Sequence, residues 1–116
     1  VETNHVSLKS LDKELENKVI SINNSPYEYV YIDRTISLME IRSFFKSNTS
    51  YRDFVAKFGE PNASQPEDLV DWYLVYYEVF VDGVAPVYVE ICVYGSNGIK
   101  YANLVNSNSH LAVIIE

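Results

Sequence analysis

Two glutamates and a lone cysteine are the residues of this sequence whose types and spacing come nearest to chemistry. Glu78 and Glu90 lie in consecutive β-prone runs, Trp72-Tyr-Leu-Val-Tyr-Tyr-Glu-Val and Val87-Tyr-Val-Glu-Ile-Cys-Val-Tyr. Paired antiparallel, these runs set both carboxylates on one sheet face, where neighbouring acids can split their pKa values for proton transfer. Nothing in the pattern supplies a pocket, and acidic residues on a wet sheet face are commonplace, so a solvated face is the expectation. Cys92 stands inside the second run without basic neighbours to activate it, and reads as a small buried hydrophobe. His5 and His110 are the only histidines, one near each end, so with Cys92 they make no metal-ligand spacing. There is no nucleophile elbow and no phosphate-cradling loop, with only four glycines in the chain. No catalytic residue, metal or cofactor is therefore expected, and the balance leans against an enzyme without closing the question.

Composition narrows the class further. The chain has 116 residues, 47% hydrophobic and 22% charged, which suits one ordinary globular domain. Its net charge of −7, from 9 Lys plus Arg against 16 Asp plus Glu, opposes nucleic acid and anionic membranes as partners. No apolar run approaches the roughly 18 residues of a spanning helix, so no direct membrane insertion is expected. One cysteine rules out an intramolecular disulfide framework. A start at Val1 instead of Met fits either a removed signal peptide or a truncation, and an extracytoplasmic site, secreted or envelope-tethered, is the expectation.

The elements that must position these residues follow from periodicity and punctuation. Residues 1–26 read as an N-terminal tether or short helix, with Leu11, Leu15, Val19 and Ile22 at roughly helical spacing. Residues 27–116 read as a single α+β domain. A short strand or extended connection is expected over 27–33, after the Asn23-Asn24-Ser25-Pro26 break. Ser37-Leu-Met-Glu40 has capping-box spacing, and Leu38, Ile41, Phe44 and Phe45 share one stripe of a helix ending near Lys46. Thr49 or Ser50 caps a second helix over 51–58 with an apolar face of Tyr51, Phe54, Val55 and Phe58. Gly59 is placed for a left-handed C-cap, and Pro61 blocks continuation. A polar loop leads into three runs over 71–105, punctuated at 82–86 and 95–98, which is the signature of an antiparallel meander. A last strand is expected over 111–116.

The fold class is thus α+β, two short helices packed on one face of a mainly antiparallel β-meander. Register gives that face Val75, Tyr77, Val79, Val81, Val87, Val89, Ile91, Val93, Ala102 and Leu104. The opposite face carries Trp72, Tyr76, Glu78, Tyr88, Glu90, Tyr94, Tyr101 and Asn103, with Leu74, Phe80 and Ile99 beside them. An aromatic surface of this kind can recognise another protein. Trp72, Tyr76, Tyr88, Glu90, Tyr94 and Tyr101 are the candidate contacts. Coverage of the face by the N-terminal segment, or by a twin subunit in a homodimer, is the structural alternative.

The run Ser50-Tyr-Arg-Asp-Phe-Val-Ala-Lys-Phe-Gly-Glu-Pro, with Trp72-Tyr73 opening a strand, resembles the repeat unit of the β-lactamase inhibitory protein family. It is also similar to the outer-membrane assembly lipoproteins of the SmpA/OmlA type. The resemblance spans roughly 41–105, and the N-terminal portion and final strand lie beyond it. It implies structural roles for Gly59 and Pro61, and a protein-binding sheet surface lined by Trp72, Tyr76 and Tyr88. Domains of this kind are secreted or lipid-tethered to the cell envelope. Helices followed by a long meander also look like the cone-shaped nuclear-transport-factor-like fold, which hosts enzymes and small-ligand binders. That resemblance implies a cavity between sheet and helices, with Tyr73, Tyr77 and one of the two carboxylates, Glu78 or Glu90, pointing inward.

Overall fold

The computed structural model describes residues 18–65, 71–81, 85–95 and 97–116. Among these the chain forms β1 (Lys18–Ile22), β2 (Ser25–Tyr29), α1 (Leu38–Phe45), α2 (Tyr51–Phe58), β3 (Ala63–Ser64), β4 (Trp72–Val79), β5 (Val87–Tyr94), β6 (Gly98–Val105) and β7 (His110–Ile115). Strands β3 to β7 make one antiparallel sheet in sequential order, and β1 with β2 makes a separate hairpin. The fold is α+β, with both helices packed on one face of the meander.

Local signals account for the helices. Ser37 and Ser50 are extended N-caps whose Oγ atoms accept hydrogen bonds from Glu40 N and Asp53 N, at 3.1 and 3.3 Å. Helix α2 ends at Gly59 with φ 89° and ψ −167°, outside the left-handed well expected of its cap. Tertiary partners explain the departure. Tyr77 Oη donates to the Gly59 carbonyl at 2.7 Å, and Arg34 Nη1 donates to the Phe58 carbonyl at 2.9 Å. The positive φ favours glycine here, and a Cβ at Gly59 would lie 2.9 Å from Arg34 Nη1, so that guanidinium would have to shift.

The helix-facing core is centred on the wholly buried Phe54. Its ring lies 5.2, 5.6, 4.6 and 4.9 Å from the centroids of Phe44, Phe45, Phe58 and Tyr77. Val75, Val89, Ile91, Val93 and Ala102 complete it from the sheet. Ile99 also belongs here, not on the opposite face. A register shift between Cys92 and Val93 pairs Ile99 with Val93, while Tyr101 still pairs with Cys92. An irregularity of one residue reverses which side the start of β6 presents.

The N-terminal reading is corrected where the structure describes it. Val19 and Ile22 lie in a strand, not a helix; Leu11 and Leu15 lie outside the described residues. Two local facts override the helical spacing. Ile20 and Ile22 alternate at period two, and Asn23 and Asn24 adopt φ 51° and 66°, the left-handed pair of a two-residue hairpin turn. The expected boundary at residue 26 therefore falls inside β2. The hairpin tip docks on the β6–β7 loop, with Asn23 N donating to Asn106 O at 2.8 Å and Asn24 N to Ser107 O at 2.9 Å. Asn106 Oδ1 shapes that loop by accepting from Asn108 N, Ser109 N and Ser109 Oγ.

Candidate functional site

Register brings the six candidate residues onto one face, as alternation requires. Trp72 pairs with Tyr94, Tyr76 with Glu90, Glu78 with Tyr88, and Cys92 with Tyr101. Their environments then diverge. The β1–β2 hairpin lies over the middle of the face, and Ile20, Ile22 and Tyr27 pack there with Tyr76, Tyr88 and Val105. Tyr76, Tyr88 and Glu90 are left only 1%, 5% and 8% exposed. The expected open recognition surface is corrected at these three positions: they are interior residues. Trp72 at 38% and Tyr94 at 51% remain on the surface, and Tyr101 is half-buried.

The covered part is a hydrogen-bonded polar core. Tyr76 Oη donates to Glu90 Oε2 at 2.8 Å, so Tyr27 Oη, 2.9 Å away, donates to Tyr76. Asn103 Nδ2 reaches Glu90 Oε1 at 3.4 Å. Beside this chain Tyr29 Oη donates to Glu78 Oε1 at 2.8 Å. Burial, followed by its bonds to Tyr27 and Glu90, pushes the Tyr76 phenol far above its ordinary range. Burial, then Glu78, does the same for Tyr29, and for Tyr88 in the same direction. Each acid thus faces a neutral phenol donor, and the two carboxylates take different tyrosines. Such groups hold a layer together, since an unpaired buried carboxylate would be costly. Burial also raises the Cys92 thiol, which sits 2% exposed in β5.

One junction carries no local signal in the sequence. Asn62 is buried in the loop before β3, and all its polar atoms are used. Its Nδ2 donates to Val30 O at 3.0 Å, and its Oδ1 accepts from Glu78 N at 2.9 Å and Arg34 Nη2 at 3.1 Å. Its backbone N donates to Tyr76 O at 2.9 Å, and its carbonyl accepts from Val30 N at 2.7 Å. Arg34 lies 5.1 Å from the Tyr77 ring centroid, and burial lowers its pKa. Tyr51 Oη sits 3.2 Å from Tyr77 Oη, and burial pushes its phenol up to about 12. These residues tie the connection after β2 to the end of α2 and the outer side of β4. Single-sequence reasoning passes over Asn62 because a polar loop residue looks solvated until its partners are known.

The remaining exposed face has a definite form. Trp72 and Tyr94 are direct cross-strand neighbours, and Lys100 Nζ lies 5.6 Å from the Tyr94 ring centroid. A shallow groove of about 310 Å³ runs beside Tyr94, Gly98, Ile99 and Lys100. A second, about 410 Å³, is lined by Lys100, Tyr101, Asn103, Val113, Ile115 and Glu116. Among the described residues no three His, Cys, Asp or Glu side chains gather to hold a metal, and no helix is long and apolar enough to cross a membrane.

Compared with protein-family models, with curated proteins and with solved structures, the chain matches none.

Proposed function

We propose that this protein is a non-enzymatic binding module, working outside the cytoplasm, which recognises another protein through the exposed end of its aromatic sheet face. Trp72, Tyr94 and Tyr101 make the contact, with Lys100 at its margin. The observation that carries this reading is the exposure of Trp72 and Tyr94 as paired neighbours beside a fully packed layer. Trp and Tyr offer large, stiff contact area with a polar handle, and such residues dominate interface energetics. Tyr76, Tyr88 and Glu90 act from beneath, holding β4 and β5 rigid so that little order is lost on binding. The polar groups nearest to acid–base chemistry are hydrogen-bonded to each other, which favours recognition over catalysis. Tyr77 is wholly buried against Phe54, and that filled core favours a protein binder over a small-ligand carrier. Of the three sheet residues that the resemblance to inhibitory and envelope-assembly domains implies, only Trp72 is on the surface, and the resemblance supports the compartment more than the surface.

The test is capture of partners by tagged wild-type protein and by Trp72→Ala in parallel, followed by affinity measurement on any protein lost with the variant. Trp72→Ala should weaken that binding by about 2 kcal/mol or more, roughly 30-fold, with the circular dichroism spectrum unchanged. Equal affinity of both proteins would remove Trp72 from the interface. Fractionation of the native gene product tests the compartment.

A further inference from the structure

We propose that Asn97-Gly98 is a site of spontaneous covalent modification, deamidation to aspartate and isoaspartate, which the N-terminus of α2 restrains while the chain is folded. The sequence supplies the chemistry. Asparagine is thermolabile, and a following residue without a Cβ leaves its backbone nitrogen open to the asparagine side chain. Asn97-Gly98 is the one such pair in the chain. In the first step Gly98 N attacks Asn97 Cγ, the Cγ–Nδ2 bond breaks, and ammonia leaves carrying the proton that Gly98 N gave up. Water then opens the cyclic imide. Cleavage between Cγ and Gly98 N yields aspartate, and cleavage at the Asn97 main-chain carbonyl yields isoaspartate. Both steps are redox-neutral and need water alone.

The structure supplies the restraint. Asn97 Oδ1 accepts from Arg52 N at 2.6 Å, and Asn97 Nδ2 donates to Ser50 Oγ at 3.0 Å. The Asn97 carbonyl accepts from Tyr51 N at 2.7 Å. Tyr51 and Arg52 carry N–H groups that the first turn of a helix cannot satisfy by itself, so Asn97 completes from across the chain the cap that Ser50 begins. Gly98 bridges to Ser50, and Ile99 N donates to Thr49 O at 3.0 Å. Cyclisation must swing the carboxamide off α2 and onto the next backbone nitrogen, which breaks both of its side-chain bonds. It therefore proceeds from molecules in which this junction has opened, a minor fraction of the folded population.

The two products differ at the same cap. Aspartate keeps an oxygen for Arg52 N and adds negative charge at the first turn, where the helix dipole favours it. The Ser50 hydroxyl, which accepts from Asn97 Nδ2, can turn its own proton toward that carboxylate. Isoaspartate routes the main chain through the side-chain carbon and withdraws the carbonyl that Tyr51 N uses, so the start of β6 no longer fits α2. Gly98 pairs with Tyr94 and lines the groove beside it, so this damage falls at the exposed end of the sheet. The chemistry itself needs no partner, and it stands or falls apart from the recognition surface.

The test is peptide mapping by mass spectrometry on the full chain, aged at mildly alkaline pH in native buffer and in guanidinium chloride. In denaturant Asn97 should deamidate well ahead of Asn24, Asn106 and Asn108, each of which precedes serine. Gly98→Ala, compared in denaturant where folding plays no part, should remove that lead. In native buffer the reaction at Asn97 should run at least about tenfold slower than in denaturant. Ser50→Ala, with its circular dichroism intact, should raise the native rate roughly fivefold, the effect of a lost cap on opening, and leave the denatured rate unchanged. An Asn97 no faster than the other three in denaturant would overturn the site. Equal native and denatured rates, or a native rate indifferent to Ser50→Ala, would overturn the restraint by α2.

Discussion

The two faces of one sheet are held by different physics. On the helix side, Phe44, Phe45, Phe54 and Phe58 mesh with Val75, Val89, Ile91 and Val93, and dispersion with apolar burial does the holding. On the hairpin side, Tyr29 and Tyr76 direct hydroxyls at Glu78 and Glu90, and Tyr27 donates to the Tyr76 hydroxyl. An apolar core forgives repacking if volume is kept, whereas a polar layer works only when every donor has its acceptor. The difference teaches why alternation of Tyr and Glu along β4 and β5 suggests an open recognition face and yet builds an interior. Tyrosine serves either purpose, and the partner hydroxyl 49 residues away decides which.

Alkali should produce the largest effect, because it acts on both faces at once. The phenols of Tyr29, Tyr51, Tyr76 and Tyr77 all titrate above their ordinary value, with burial the leading cause, and Tyr51 lies at about 12. Below the ordinary tyrosine pKa of roughly 10, folded and unfolded chains are both neutral at these positions, and the stabilisation is complete. As pH rises from there through the folded values, the unfolded chain releases protons that the native state retains, so stability falls. Urea midpoints should drop steadily over that window, and the phenolate band of these residues should appear together with loss of native circular dichroism. Reversible ionisation of every tyrosine before any spectral change would show that the buried hydroxyls are not sequestered as described.

Truncation at the centre of the helix face should come next. Phe54→Ala removes the ring that contacts five other aromatic residues and should cost about 3–5 kcal/mol in urea unfolding. A loss under about 1 kcal/mol would mean that this face is not the apolar keystone. On the hairpin side the equivalent test removes one atom. Tyr76→Phe leaves Glu90 Oε2 and the Tyr27 hydroxyl without their shared partner, and should cost about 1–3 kcal/mol. Adding Glu90→Leu should return part of that loss, since an apolar pair is cheaper than an orphaned carboxylate. Strict additivity of the two substitutions would sharpen the contrast differently, by showing no coupling across the polar layer.

Much of the fold was legible because its signals are local. Ser37 and Ser50 cap helices that run where the apolar stripes of Phe44, Phe45, Phe54 and Phe58 place them. Period-two alternation from Trp72 to Val79 and from Val87 to Tyr94 sorts side chains onto two faces, and the meander follows. Less of the candidate site could be read. Trp72 and Tyr94 stand on the surface, whereas Tyr76, Tyr88 and Glu90 lie beneath a hairpin that helical spacing had disguised. The Asn62–Arg34 junction went unseen because its partners come from three separate segments of chain.

The sequence by itself determined the capped helices, the pairing of the three central strands β4 to β6 and the division of the sheet into an aliphatic and an aromatic side. Those properties depend on neighbours within a turn or a strand. Only the tertiary structure decided what covers the aromatic side, which side Ile99 joins after the bulge, and which tyrosines meet water. Each of these rests on pairings such as Tyr27 with Tyr76, 49 residues apart, or Ser21 with Ser107, 86 apart. Contacts that far apart leave no periodicity behind them, and become visible only when the chain has closed on itself.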